Sequence, residues 1–288
     1  MTLGRPCKRA LLVGINYFGT ANELRGCIND VNNVKQLLLT AGYEERNIIV
    51  LSDDDKNGNS PTKENILHHF RRLTAQTKAK DTVFFHFSGH GTQTYDFGGD
   101  EADRHDEAIC TVDMQLITDD QIRALLVNPL PSSCTLNILL DCCHSGTGCD
   151  VRYLFEDCST YTGPQQQEQH QEVKFNPQHW KRALQSRHNH RASTRAPLVV
   201  CISGCRDSQT SADSWDAHRD EACGAMTRSF LNAWEEVRDS CVTANLARIL
   251  QHMTCSLRLG HYTQRPQLSL SKFSSAHWFR NGEAIMKL

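Results

Sequence analysis

Short apolar runs alternate with amphipathic stretches along most of this chain. Residues 9–15 read as a strand, 27–40 as a helix with apolar positions at helical spacing, and 47–51 as a second strand. A helix over 62–76 opens after Ser60-Pro61, a cap and first-turn pair. Residues 82–87, 119–127 and 135–140 continue as strand, helix and strand. Repetition of this βαβ unit predicts an α/β protein whose mostly parallel sheet has right-handed crossovers and helices on both faces. The alternation stops at 151–195, where Gln165-Gln166-Gln167-Glu168-Gln169-His170-Gln171 and Arg187-His188-Asn189-His190-Arg191 read as a flexible or functional loop. Order returns at Pro197, with a strand over 198–203, helices over 224–238 and 243–257, and a last strand over 267–270.

Composition narrows the class. At 288 residues and 39% apolar content the chain can bury one large core or two small ones. A formal net charge of −2 points to neither nucleic acid nor an anionic membrane. The first residues contain no secretory apolar stretch, no segment reaches about 18 uninterrupted apolar residues, and Gly does not follow Met1. A soluble cytoplasmic protein, with a monomer as the favoured state, is the expectation. Thirteen cysteines, an odd number in a chain without a signal peptide, read as mostly reduced thiols. Cys142, Cys143 and His144 are adjacent, and Cys201 and Cys205 lack a matching second pair, so zinc spacing is missing.

The candidate chemistry sits after two of the strand-like runs. Ser88-Gly89-His90-Gly91 follows 82–87, and Asp141-Cys142-Cys143-His144-Ser145-Gly146 follows 136–140. If these strands are parallel neighbours, an imidazole and a thiol emerge together at the carboxyl edge, where open α/β sheets place their sites. A free thiol has a pKa of about 8.5, so a neighbouring imidazole can take its proton or later protonate a leaving amine. Taken alone, either residue is more simply a buried thiol or a hydrogen-bonded histidine. Their pairing in glycine-containing turns favours a cysteine hydrolase.

The chain resembles the type I metacaspases, caspase-like cysteine peptidases. The matching blocks are 10–17, Leu24-Arg25-Gly26-Cys27-Ile28-Asn29-Asp30-Val31, 84–93, 118–125, 137–145 and Ser203-Gly204-Cys205-Arg206-Asp207-Ser208-Gln209-Thr210-Ser211-Ala212-Asp213, in the family's order. The resemblance implies a caspase-like three-layer α/β/α sandwich. Residues 1–150 would form the larger part of one catalytic domain, 151–196 a variable linker and 197–288 the smaller part. It maps the nucleophile onto Cys143 and its partner onto His90, with Cys142 turned into the core because side chains alternate at a strand end. Backbone N–H groups of Gly91 and Cys143 are the oxyanion-hole candidates.

Asp30 and Asp141 match an acidic S1 pocket, with Ser88 as an added polar contact, so cleavage of protein or peptide substrates after Arg or Lys is expected. For Asp30 the plainer alternative is a carboxylate capping a helix. Asp106, Asp119, Asp120 and Asp150 match the family's calcium-binding positions, so Ca²⁺ is the expected cofactor, although 100–107 lacks EF-hand spacing. A solvated acidic loop, or a helix N-terminus for Asp119-Asp120, would explain the same residues. Lys174, Lys181, Arg182, Arg187, Arg191 and Arg195 are candidate self-cleavage positions in the linker. The family's prodomain finds little or no counterpart before residue 9. Two other readings remain: a catalytically weak or non-proteolytic interaction protein with the same fold, and a related peptidase cutting after Asp or Asn.

Overall fold

The computed structural model describes residues 6–54, 58–95, 105–142, 153–157, 180–184, 197–204, 213–216, 221–240, 243–271 and 285–288. In chain order, β1 (Lys8–Gly14), α1 (Cys27–Thr40), β2 (Ile48–Ser52), α2 (Lys63–Gln76) and β3 (Thr82–Ser88) make the first alternating units. Next come β4 (Gly91–Tyr95), β5 (His105–Cys110), β6 (Leu116–Thr118), the short α3 (Asp119–Ile122) and β7 (Thr135–Asp141). The remaining elements are β8 (Tyr153–Asp157), β9 (Trp180–Leu184), β10 (Leu198–Ser203), β11 (Asp213–Asp216), β12 (Glu221–Gly224), α4 (Ala225–Val237), β13 (Arg238–Ser240), β14 (Thr243–Asn245), α5 (Leu246–Leu259), β15 (Gln267–Leu270) and β16 (Ile285–Lys287).

The main sheet runs β2-β1-β3-β7-β10-β15-β8-β9. Its first five strands are parallel, and β15, β8 and β9 add antiparallel pairs. Because both faces of the parallel part are covered, its strands are continuous apolar runs rather than alternating ones. Leu12, Phe84, Leu139 and Ile202 share one core with α1, α4 and α5 residues such as Val34, Trp234 and Leu250. Val13, Phe85, Phe87, Ile138 and Leu140 face the other way, against Phe70 and Leu73 of α2 and Leu126. This is the three-layer α/β/α sandwich expected. Chain order reverses on either side of β1, so a topological switch point lies at the carboxyl ends of β1 and β3.

Several local readings change. The α2 cap is Thr62, whose hydroxyl accepts the Asn65 N–H at 3.3 Å, rather than the Ser60-Pro61 pair. Helix α5 starts three residues later than expected because Asn245 caps it by accepting the Arg248 N–H, while 243–245 pairs with β13 and β16. The segment 119–127 coils as α-helix only to Ile122 and then as a π-turn, Arg123–Val127. The stretch 151–195, read as a loop, contains β8 and β9, which extend the sheet through β15. Strand formation there depends on a distant partner edge, which local polarity does not reveal. Residues 91–95, 105–110 and 116–118, given no element from sequence, form the antiparallel sheet β4-β5-β6.

One buried group makes stability depend on acid. His86, in the middle of β3, is fully buried; its Nδ1–H donates to the Leu139 carbonyl at 3.0 Å, and among the described residues its Nε2 has no hydrogen-bond partner. Burial disfavours the imidazolium and lowers the pKa from 6.5 to about 4. The unfolded chain therefore binds this proton at a higher pH than the folded one. The contribution is fully present above pH 6.5 and is lost as the pH falls towards 4, to the extent of ~3 kcal/mol. Urea melts across this window are expected to show that slope, and a His86→Met variant is expected to flatten it.

Candidate active site

The carboxyl ends of β3 and β7 lie side by side, next to the switch point between β1 and β3. Ser88 lies opposite Asp141 in the parallel register, and the Gly89 N–H donates to the Asp141 carbonyl at 3.2 Å. A Cβ on Gly89 would lie 2.8 Å from the Phe87 ring and 2.9 Å from the Tyr17 hydroxyl, so glycine lets the backbone pass close to both side chains. His90 follows, half-buried. Its Nε2 is 2.7 Å from the Asn22 carbonyl; because a carbonyl only accepts, Nε2 is the N–H donor, and Nδ1 is the ring nitrogen left for other partners. The Tyr17 ring packs on the imidazole with centroids 4.6 Å apart.

On the neighbouring strand Asp141 and Cys142 are described, whereas Cys143 lies outside the described residues. Cys142 is buried with Leu140 in the α2-side core, as alternation at the strand end requires. Gly91 opens β4 opposite Ile109.

Three polar side chains converge below this edge. Ser88 Oγ donates to Asp30 Oδ2 at 2.7 Å. Both Asp30 oxygens accept the Gly224 N–H, at 2.9 and 3.0 Å, and Asp141 Oδ2 accepts the Thr227 N–H at 2.7 Å. Gly224 is the N-cap position of α4 and Thr227 lies in its first turn, so two carboxylates sit on the positive end of one helix. They are buried, 1% and 3% exposed. A Cβ on Gly224 would come within 2.1 Å of Asp141 Oδ2 and 2.7 Å of Asp30 Oδ2, which shows how closely both approach the same point. Asp30 thus has the capping role considered from sequence, but for α4 rather than for its own helix. The strand before α4 is tied to α1 by Asn29 Nδ2 to the Ala222 carbonyl at 2.8 Å and by Asn33 Nδ2 to Glu221 Oε1 at 2.6 Å.

The acidic positions considered for calcium fall differently. Asp106 lies in β5 and is buried beside Glu107, so neither belongs to a solvated loop. Asp119 is buried in the first turn of α3, whose capping box is made by Thr118 and Gln121, and its Oδ1 accepts the Asp120 N–H at 2.9 Å. Asp120 is exposed, and Asp150 lies outside the described residues. α3 packs against β5 and β6, so Asp106 and Asp119 are on neighbouring elements. Among the described residues no three His, Cys, Asp or Glu side chains converge to hold a metal. Of the self-cleavage candidates, Lys181 and Arg182 are in the edge strand β9, and Lys174, Arg187, Arg191 and Arg195 lie outside the described residues.

Sequence reasoning missed Tyr17, the Asn22 carbonyl, Gly224 and the Thr227 N–H. Tyr17 and Asn22 lie between the first strand and the start of α1 at Cys27, but nothing local marks them as partners of a residue some 70 positions away. Cys27, for which sequence suggested no role, is buried and opens α1, with its N–H donating to Asn16 Oδ1 at 3.0 Å.

Comparison with known proteins agrees with this architecture. The profile of the metacaspase, peptidase C14 domain matches residues 8–152. Metacaspase-1 of Yarrowia lipolytica is 39% identical over 290 residues, covering 92% of this chain and 61% of the relative. Metacaspase-1 of Scheffersomyces stipitis is 37% identical over 291 residues (92% and 70%), and that of Lodderomyces elongisporus 36% over 297 (92% and 65%). The chain therefore spans about two thirds of the length of these relatives. The crystal structure of protein GSU0716 from Geobacter sulfurreducens superimposes with a TM-score of 0.59 at 20% identity over 95% of this chain and 97% of that one, a likeness of fold alone. Among the described residues no helix is long and apolar enough to cross a membrane. With half of its length matched by the domain profile and relatives above one-third identity across nine-tenths of it, this chain belongs to the metacaspase family of caspase-like cysteine peptidases.

Proposed function

We propose that this chain is a cysteine endopeptidase that cleaves after Arg or Lys, with Cys143 as nucleophile and His90 as its proton-transfer partner. The supporting observation is the β3–β7 register: Ser88 is opposite Asp141, and His90 and Cys143 each follow that pair by two residues. In this mechanism Cys143 Sγ attacks the scissile carbonyl carbon. With Nε2–H committed to Asn22, His90 Nδ1 takes the thiol proton and returns it to the departing amine, leaving a thioester that water hydrolyses. Hydrogen-bonded pairs alternate along an antiparallel ladder, and the Cys110 N–H to His90 carbonyl bond of 2.9 Å turns the Gly91 N–H away from β5. That N–H, with the one of Cys143, is the oxyanion donor in this reading.

Specificity for a cation rests on Asp30, Asp141 and Ser88. Two desolvated carboxylates beside one glycine suit a guanidinium fork or an ammonium. Their use as caps of α4 favours a competing, purely structural reading. Matched fluorogenic peptides with Arg, Lys, citrulline or Asp at P1 separate the two. Arg and Lys are expected to exceed isosteric citrulline by about 100-fold in kcat/KM, the worth of a charge-assisted contact. Equal turnover of Arg and citrulline would leave the carboxylates as structural caps, and preference for Asp would overturn the cationic pocket.

Calcium belongs to the same proposal as a regulator. Asp106, Asp119, Asp120 and Asp150 are the residues that would hold it, and they supply the hard oxygens that Ca²⁺ takes. The burial of Asp106 and Asp119 on adjacent elements supports a cation there, since a buried carboxylate gains from a counter-charge. Arg-peptide turnover is expected to require millimolar calcium and to stop on chelation; turnover indifferent to chelator would remove calcium from the scheme. Self-processing in the 151–196 linker is part of the proposal, and cutting within β9 would first require that strand to leave β8.

A further inference from the structure

We propose that Tyr17 is a positioning residue for His90, acting through a hydroxyl inserted into the ladder that joins His90 to Cys110. This deepens the peptidase reading and rests on it for the role of His90. β4 and β5 are paired up to Gly91 and Ile109, and the next pair outward would be His90 with Cys110. In a regular antiparallel ladder such a pair exchanges two backbone hydrogen bonds. Only one is made directly, Cys110 N–H to the His90 carbonyl at 2.9 Å. The other is split by the phenol: the His90 N–H donates to Tyr17 Oη at 2.9 Å, and Tyr17 Oη donates to the Cys110 carbonyl at 2.7 Å. The hydroxyl thus opens the ladder where the chain leaves β3, and the same ring lies against the imidazole.

The loop after β1 holds that phenol in place. Tyr17 has φ +53°, a conformation a bulky side chain rarely takes, and its side chain is 1% exposed. Asp53 accepts the N–H groups on either side of it, from Asn16 at 2.9 Å and Phe18 at 3.4 Å. Its own carbonyl accepts the Thr20 hydroxyl at 2.8 Å, and the Asn16 carbonyl accepts the Leu24 N–H at 2.7 Å. The loop so braced also presents the Asn22 carbonyl to His90 Nε2. One strained, cross-braced loop therefore grips His90 at its backbone, at its ring face and at one ring nitrogen. Backbone strain that persists at a site is retained because its surroundings over-determine it. Burial pushes the phenol pKa well up, so the hydroxyl stays protonated and transfers no proton in turnover.

The test is Tyr17→Phe in the full chain, which keeps the ring and removes the bridge. Two readouts are followed: kcat and KM on the Arg peptide, and the His90 ring resonances by long-range ¹H–¹⁵N NMR in the Cys143→Ala background. Expected are a fall in kcat of between about 10- and 100-fold with KM within about twofold, and a loss of the single Nε2–H tautomer. If the wild type hydrolyses no peptide, the peptidase reading fails, and the NMR difference still tests the positioning role. A lower melting temperature with unaltered kcat, tautomer and His90 pKa would make Tyr17 structural only and overturn the proposal. Should Tyr17→Phe not fold, 3-fluorotyrosine at position 17 weakens the hydroxyl as an acceptor while keeping it. A shift of the His90 amide and ring resonances then supports the bridge, and unchanged resonances overturn it.

Discussion

Replacing Cys143 with Ala is expected to abolish turnover of an Arg-P1 peptide, and replacing His90 with Ala to lower kcat by about 10³-fold, the largest effects expected in this protein. The two differ for a chemical reason. Without the thiol no thioester forms, and no other group follows the β3–β7 pair at the same distance. Without the imidazole a small fraction of the thiol is still thiolate near neutral pH, and water can protonate the leaving amine, so a residue of activity remains. Iodoacetamide labelling of Cys143 offers a second view of the same coupling. At neutral pH its rate is expected to be faster in the wild type than in His90→Ala, where labelling should follow an ordinary thiol with a pKa of about 8.5. A Cys143→Ala protein that still hydrolysed the peptide at the wild-type rate would place the nucleophile elsewhere.

Gly224→Ala carries the second large effect. The backbone at Gly224 is extended, φ −70° and ψ 134°, so alanine is allowed there on conformational grounds. The obstacle is the pair of carboxylates, since the new methyl would lie 2.1 Å from Asp141 Oδ2 and 2.7 Å from Asp30 Oδ2. Neither can withdraw without loss. Asp141 would give up the Thr227 N–H, and Asp30 the Gly224 N–H and the Ser88 hydroxyl. Buried carboxylates that lose such partners cost several kcal/mol, and overpacking alone typically costs 1–3 kcal/mol, so a loss of about 3 kcal/mol or more is expected in urea unfolding. In whatever fraction stays folded, the Arg-to-citrulline ratio should fall at least about tenfold. Wild-type stability together with wild-type selectivity would mean that the two carboxylates are not held against this glycine in solution.

Much of the architecture was legible in the amino-acid order. Runs such as 9–15, 82–87, 135–140 and 198–203 are largely apolar because parallel strands are covered on both faces, and each is a strand of the main sheet. The two glycine-containing motifs after the runs 82–87 and 136–140 identified His90 and the Asp141–Cys143 segment, since those signals are local. Asp30 and Ser88 were named through resemblance, and only the fold showed that they touch each other and share a helix N-terminus with Asp141.

What the sequence determined by itself is therefore the α/β class, the core strands and the residue types fit for cysteine chemistry, all carried by periodicity and short motifs. Tertiary structure alone decided the strand register that sets Ser88 against Asp141, the α4 amides that take both carboxylates, and the phenol of Tyr17 between His90 and Cys110. It also decided that 153–157 and 180–184 become strands. Each of these joins groups far apart in the chain, and a hydrogen bond between distant residues leaves no period or spacing for sequence to record.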